Sequence, residues 1–169
     1  MRISAWRKRA RLGVSGGPII FREATAADLP GISRVRTSVV ENLLTLDQLD
    51  ERGITEASVA ASFLADSKGW VAMRQEEVVA FSIADRTSQS IFGLFVLPAY
   101  EGQGIGSRLL QLALEWLWAN GAERVWLTTG AGTKAVRFYE KRGWTCTGTG
   151  PRGDLRYELT RPSAAAVHQ

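Results

Sequence analysis

The spacing of apolar residues changes period repeatedly between residues 19 and 160, and each change marks an element. The short run IIFREAT (19–25) reads as a first strand. In AADLPGISRVRTSVV (26–40), Leu29, Ile32, Val35 and Val39 recur at helical spacing. Thr25 or Asp28 suits the cap of that helix, and Pro30 fits only in its first turn. ENLLTLDQLDERG (41–53) reads as a polar connection to a second helix in TEASVAASFLAD (55–66), where Thr55 and Glu56 suit a helix start. GWVAMRQ (69–75) and EVVAFSIAD (77–85) are strands joined tightly at Glu76 and Glu77. IFGLFVL (91–97) is apolar at every position, which predicts a central strand buried on both faces, ended by Pro98. A helix follows in SRLLQLALEWLWAN (107–120), with Arg108, Gln111 and Glu115 as a thin polar stripe and Gly121 at its C′ position. ERVWLTT (123–129) is a strand, and TKAVRFYEKR (133–142) is a helix stopped by Gly143. GWTCTG and DLRYELT form a closing hairpin.

The order β-α-α-β-β-β-α-β-α-β-β leaves several consecutive strands without a crossover helix. A doubly wound parallel sheet is therefore excluded, and an α/β (α+β) arrangement with a central mixed sheet and helices on both faces fits. We expect a basic flexible leader over 1–18, a single domain over 19–161 and a frayed tail over 162–169.

Charge sharpens that division. The net charge is +4 over 169 residues, yet five of the 21 basic residues (Arg2, Arg7, Lys8, Arg9 and Arg11) lie in the leader, which has no acid. Against 17 acids, the rest of the chain is left at −1. Basicity belongs to the leader, so specific nucleic-acid binding by the domain is not expected; a salt-sensitive contact of residues 1–18 with RNA or anionic lipid is the alternative. No run of about 18 apolar residues occurs, and the leader has no apolar segment of the secretory kind, so a cytoplasmic protein without membrane attachment is expected. Cys146 is the only cysteine and His168 the only histidine, which excludes the usual zinc spacings and an internal disulfide.

The candidate chemistry lies in LPAYEGQGIGSRLL (97–110). Gly102, Gly104 and Gly106 stand between a strand end and a helix start, where free amides point along a helix dipole. Bare backbone there can form a nest around an anion. No lysine follows as a P-loop requires, and the glycine spacing departs from the dinucleotide fingerprint. The physical reading is a phosphate or diphosphate cradle made of main chain; the competing reading is a tight connection without a ligand.

FVLPAYEGQGIGSRLL and AVRFYEKRGW resemble the two signatures of the GNAT family of N-acetyltransferases, in the family's order, with matching elements from residue 19 to about 160. The resemblance implies the GNAT fold, with a mostly antiparallel sheet splayed at its fourth strand, and acetyl-CoA as cosubstrate without a metal. It places the coenzyme's diphosphate on Gly102, Gln103, Gly104, Ile105, Gly106 and Ser107, and its pantetheine arm along Leu94, Phe95 and Val96. It implies transfer of an acetyl group to a primary amine of a small molecule or peptide by direct attack. An amide of Phe95 or Val96 would meet the carbonyl oxygen, and Tyr139 would be general acid to the departing sulphur. The alternative on the same fold is an acyl-CoA-binding module without turnover. The resemblance also admits a homodimer built on RYELT (156–160).

Two positions depart from the family pattern. Glu101 stands where Arg or Gln is usual, and Gly132 where Asn is frequent, with Lys134 or Arg137 as substitute cations. The fourth-strand glutamate of many relatives is also missing, with Ser90 and Phe92 in its place. A base for the acceptor ammonium is left open between Asp85, Glu41 and a water chain.

Overall fold

The computed structural model describes residues 16–39 and 44–163. Glu41, His168 and most of the basic leader lie outside the described residues.

Among the described residues, seven strands form one sheet in the order β1-β2-β3-β4-β5-β7-β6. They are β1 (Ile19–Glu23), β2 (Ser67–Arg74), β3 (Glu77–Asp85), β4 (Ser90–Val96), β5 (Arg124–Thr129), β6 (Thr145–Thr149) and β7 (Leu155–Thr160). Every neighbouring pair is antiparallel except β4 and β5, which run parallel. The expected mixed sheet is thus present.

Among the described residues, five α-helices flank it: α1 (Leu29–Ser38), α2 (Leu46–Glu51), α3 (Glu56–Phe63), α4 (Ile105–Ala119) and α5 (Lys134–Glu140). On one face, Leu29, Ile32 and Val35 of α1 pack against Val71, Phe81 and Ile83. On the other, Leu109, Leu110, Ala113 and Leu117 of α4 pack against Val79, Ala80, Val125 and Leu127. Helix α4 ends in a Schellman motif. Gly121 takes φ 89°, its N–H donates to Trp118 O at 3.1 Å, and Ala122 N donates to Leu117 O at 3.0 Å.

Three expectations are corrected. The first helix of the sequence reading begins with a 3₁₀ turn over Ala26–Asp28 before α1. There the Asp28 carboxylate accepts from Thr25 N at 2.8 Å and is gripped by both guanidinium ends of Arg22, at 2.7 and 2.8 Å. The polar connection contains a helix, α2, closed by a reciprocal cap in which Gln48 N donates to Thr45 Oγ1 (3.2 Å) and Thr45 N to Gln48 Oε1 (2.9 Å). Strand β4 is not buried on both faces. It meets β5 at a single register position, Ser90 opposite Trp126, so its second half lines a cleft, and Phe92 is 47% exposed.

Candidate functional site

Parting β4 from β5 opens two clefts that share a floor of Ile91, Phe92, Gly93, Phe95, Thr128 and Thr129. The first has a volume of about 550 Å³ and lies between the second half of β4, the glycine loop and α5. The second, about 930 Å³, lies between α1, α2, β4, the end of β5 and the turn before β7.

The first cleft collects the residues singled out in the sequence. Leu94, Phe95, Val96, Gly102, Gly104, Ile105, Gly106, Ser107 and Tyr139 all line it, while Gln103 belongs to the same loop without lining the cleft. Gly102 and Gly104 have φ of 75° and 79°, a left-handed conformation that side chains disfavour. Gly104 is the N-cap of α4, and the first bond of its ladder is Arg108 N to Gly104 O at 3.1 Å. Among the described residues, no amide from Gly102 to Ser107 donates to another protein group. The loop therefore presents unused donors at the positive end of a 15-residue helix. A Cβ at Gly102 or Gly104 would meet no protein atom within 4 Å, so the protein itself does not crowd these positions.

Strand polarity distinguishes the β4 amides. Leu97 N donates to Val79 O at 2.9 Å, and Phe95 pairs with Phe81, so Leu97 and Phe95 turn their main-chain groups toward β3. Groups alternate sides along a strand. Leu94 and Val96 therefore aim their amides at the parted edge, where no strand of the sheet pairs with them. Phe95 contributes its ring instead, 5.6 Å from Phe81 and beneath the Arg36 guanidinium at 4.3 Å.

Tyr139 is buried between Phe138 (5.2 Å), Trp144 (5.5 Å) and Tyr157 (6.4 Å). Among the described residues its hydroxyl has no hydrogen-bond partner, in contrast to Tyr157, whose hydroxyl donates to Glu140 Oε1 at 2.8 Å. Burial raises the Tyr139 phenol above its ordinary value, with the charge of Arg142 pulling the other way. The proton is thus retained throughout the neutral range.

Cations line this cleft at Lys134, Arg137, Lys141 and Arg142. Glu101 is answered by Lys134, whose Nζ lies 3.4 Å from its carboxylate. Gly132, at φ 73°, precedes the Thr133 cap of α5. The sequence reading missed Arg142, a position just past the helix end whose importance depends on tertiary contact. Its guanidinium lies 3.7 Å from the Phe138 ring centroid, donates to Phe138 O at 2.9 Å and donates to Ser107 Oγ.

Asp85 lines neither cleft. Its carboxylate accepts from Ser88 N (2.8 Å), Ser88 Oγ (3.0 Å) and Ser67 Oγ (3.0 Å), closing the turn between β3 and β4. Burial would raise its pKa, and those hydrogen bonds outweigh it and hold the carboxyl below the usual range. The second cleft carries Asp47, Asp50 and Asp154 beside exposed Leu46, Ile54 and Phe92.

Unpaired amides at a helix start, a row of cations and an open strand edge fit a long anionic ligand better than a compact one. No group of His, Cys, Asp or Glu suited to a metal ion occurs among the described residues.

Comparison with known proteins finds related acetyltransferases. The model of the acetyltransferase (GNAT) family matches residues 39–144. A peptidyl-lysine N-acetyltransferase, YjaB, of Salmonella typhimurium is 37% identical over 101 residues, covering 57% of this chain and 63% of the relative. A mycothiol acetyltransferase of Corynebacterium glutamicum is 39% identical over 74 residues, covering 41% of this chain and 25% of the relative. The chain thus spans less than two thirds of the length of these relatives. Among solved structures, the PaiA N-acetyltransferase of Thermoplasma acidophilum in complex with coenzyme A superimposes with a TM-score of 0.73 at 16% identity, covering 86% of this chain and all of that one. The ribosomal-protein-S18-alanine N-acetyltransferase of Escherichia coli gives 0.67 at 18% identity, covering 87% and 96%. These two likenesses concern the fold.

Proposed function

The chain belongs to the acetyltransferase (GNAT) family, and from that premise we propose that residues 19–161 transfer an acetyl group from acetyl-CoA to a primary amine of a peptide or small molecule. The observation that carries this reading is the floor that the two clefts share where β4 parts from β5, with the unpaired amides and Tyr139 in the first of them.

Acetyl-CoA supplies the activated acetyl thioester. The amides of Gly102 to Ser107 hold its diphosphate, and Leu94 and Val96 offer main-chain groups to the pantetheine amides as a neighbouring strand would. The Val96 amide faces the open edge and stabilises negative charge on the carbonyl oxygen; a preorganised donor of this kind contributes a factor of about 10² to 10³. Tyr139, protonated and without a competing acceptor, gives its proton to the sulphur. The acceptor enters the second cleft, whose acids Asp47, Asp50, Glu56 and Asp154 stand among Arg36, Arg52 and Arg152. With Asp85 committed to its turn, removal of the ammonium proton is left to Glu41 or a water chain.

The similar proteins are named for peptidyl lysine, mycothiol and ribosomal-protein-S18 alanine; the peptide or small-molecule class is as far as we carry the acceptor. Calorimetry with acetyl-CoA, followed by a thiol-release assay across amines and lysine peptides, tests the reading. Heat with release supports a transferase. Heat without release across the panel supports the acyl-CoA-binding alternative, and no heat at millimolar acetyl-CoA removes both.

A further inference from the structure

We propose that Arg142 is a side-chain ligand for the coenzyme's diphosphate, supplied from the far wall of the cleft because the loop itself carries a carboxylate at Glu101. This inference rests on the coenzyme reading of the first cleft. Arg142 lies just beyond α5, yet it reaches the first turn of α4 and donates to Ser107 Oγ, while its second terminal nitrogen donates to Phe138 O at 2.9 Å. Its planar face rests on the Phe138 ring, 3.7 Å from the centroid. The guanidinium is therefore fixed before any ligand arrives, so little side-chain freedom remains to be lost on binding.

A guanidinium has five N–H donors, and these two bonds leave three unused. Arg142 makes no ion pair among the described residues, and Glu101, which lines the same cleft, is matched to Lys134. An uncompensated cation lining an anion-shaped cleft, tied to the residue whose own amide is unused, is placed to make charge-assisted contacts to phosphate oxygens. Ser107 fixes which phosphate. Its amide closes the loop's row of donors, so the cation acts beside the diphosphate rather than at the ribose phosphate.

The test is calorimetric binding of CoA, 3′-dephospho-CoA and pantetheine to the wild-type chain and to Arg142→Ala, Arg142→Lys and Ser107→Ala, with thermal melts as a folding control. Arg142→Ala should weaken CoA and 3′-dephospho-CoA alike, by roughly ten- to a hundredfold, and leave pantetheine within about twofold. Arg142→Lys, which keeps charge but loses the fork, should recover only part of that loss. Ser107→Ala should cost a few-fold, since the Phe138 contacts remain. Equal weakening of pantetheine would make Arg142 a structural tie only. Loss confined to CoA would move it to the ribose phosphate, and unchanged binding of all three would end the proposal. If wild-type chain itself binds no CoA, the coenzyme reading fails instead.

Discussion

Glu101 on the glycine loop and Lys134 at the start of α5 face each other across the first cleft, 3.4 Å apart, with 44% and 76% of their side chains exposed. A carboxylate beside a row of amides repels the anion those amides are arranged to hold, and the lysine offsets part of that repulsion. Exposed pairs contribute at most about 1 kcal/mol. Glu101→Gln should therefore tighten CoA binding by roughly two- to fivefold at low salt, with the gain shrinking at high salt. A titration at two ionic strengths checks this; weaker binding would mean that Glu101 contacts the ligand through a favourable bond.

Tyr139→Phe removes a hydroxyl that has no partner among the described residues. The melting temperature should scarcely move, while turnover should fall about 10² to 10⁴-fold and CoA affinity stay within about twofold. Steady-state kinetics with calorimetry decides. Unaltered turnover would take Tyr139 out of the chemistry.

Val96→Pro deletes a single N–H, one that faces the parted edge and leaves the ladder to β3 intact. The expected result is a folded protein whose turnover is down by about 10² to 10³. Phe95→Pro, by contrast, removes an amide directed into the sheet and should lower the melting temperature markedly.

Asp28 ties β1 to the turn before α1, and Arg22 with the Thr25 amide hold its carboxyl below the ordinary value of 3.8. A carboxyl with a depressed native pKa stabilises the fold fully above its unfolded pKa. That contribution is lost as pH falls through the native value. Asp28→Asn should thus cost about 1–2 kcal/mol at pH 7, and the gap to wild type should narrow below pH 3.8. Urea unfolding at pH 7, 4 and 3 measures it; a gap that stays constant with pH would exclude ionic pairing as its source.

Most of the architecture was legible because its signals are local. The period of α4, the glycine at its C′ position and the apolar runs of β2 and β3 are written within a dozen residues each. Helix α2 escaped because only Leu49 of its six residues is buried, so no apolar stripe exists; its one legible mark was the Thr45–Gln48 spacing. In β4, an unbroken apolar run signals removal from water but not whether protein or a cleft does the removing. The loop and Tyr139 were readable from their residues and the family pattern. Arg142 was not, since its partners Ser107 and Phe138 come together only when α4 and α5 pack.

The single rung between β4 and β5 makes the molecule, in effect, two sheets that share one helical backing. Strands β5, β7 and β6 keep register through their own antiparallel pairs, independently of whatever happens beyond the gap. Changes to the α1 and α2 side chains that line the second cleft would then reshape it without touching the tyrosine or the arginine of the first. The division lets one half of the protein be re-tailored while the other stays as it is.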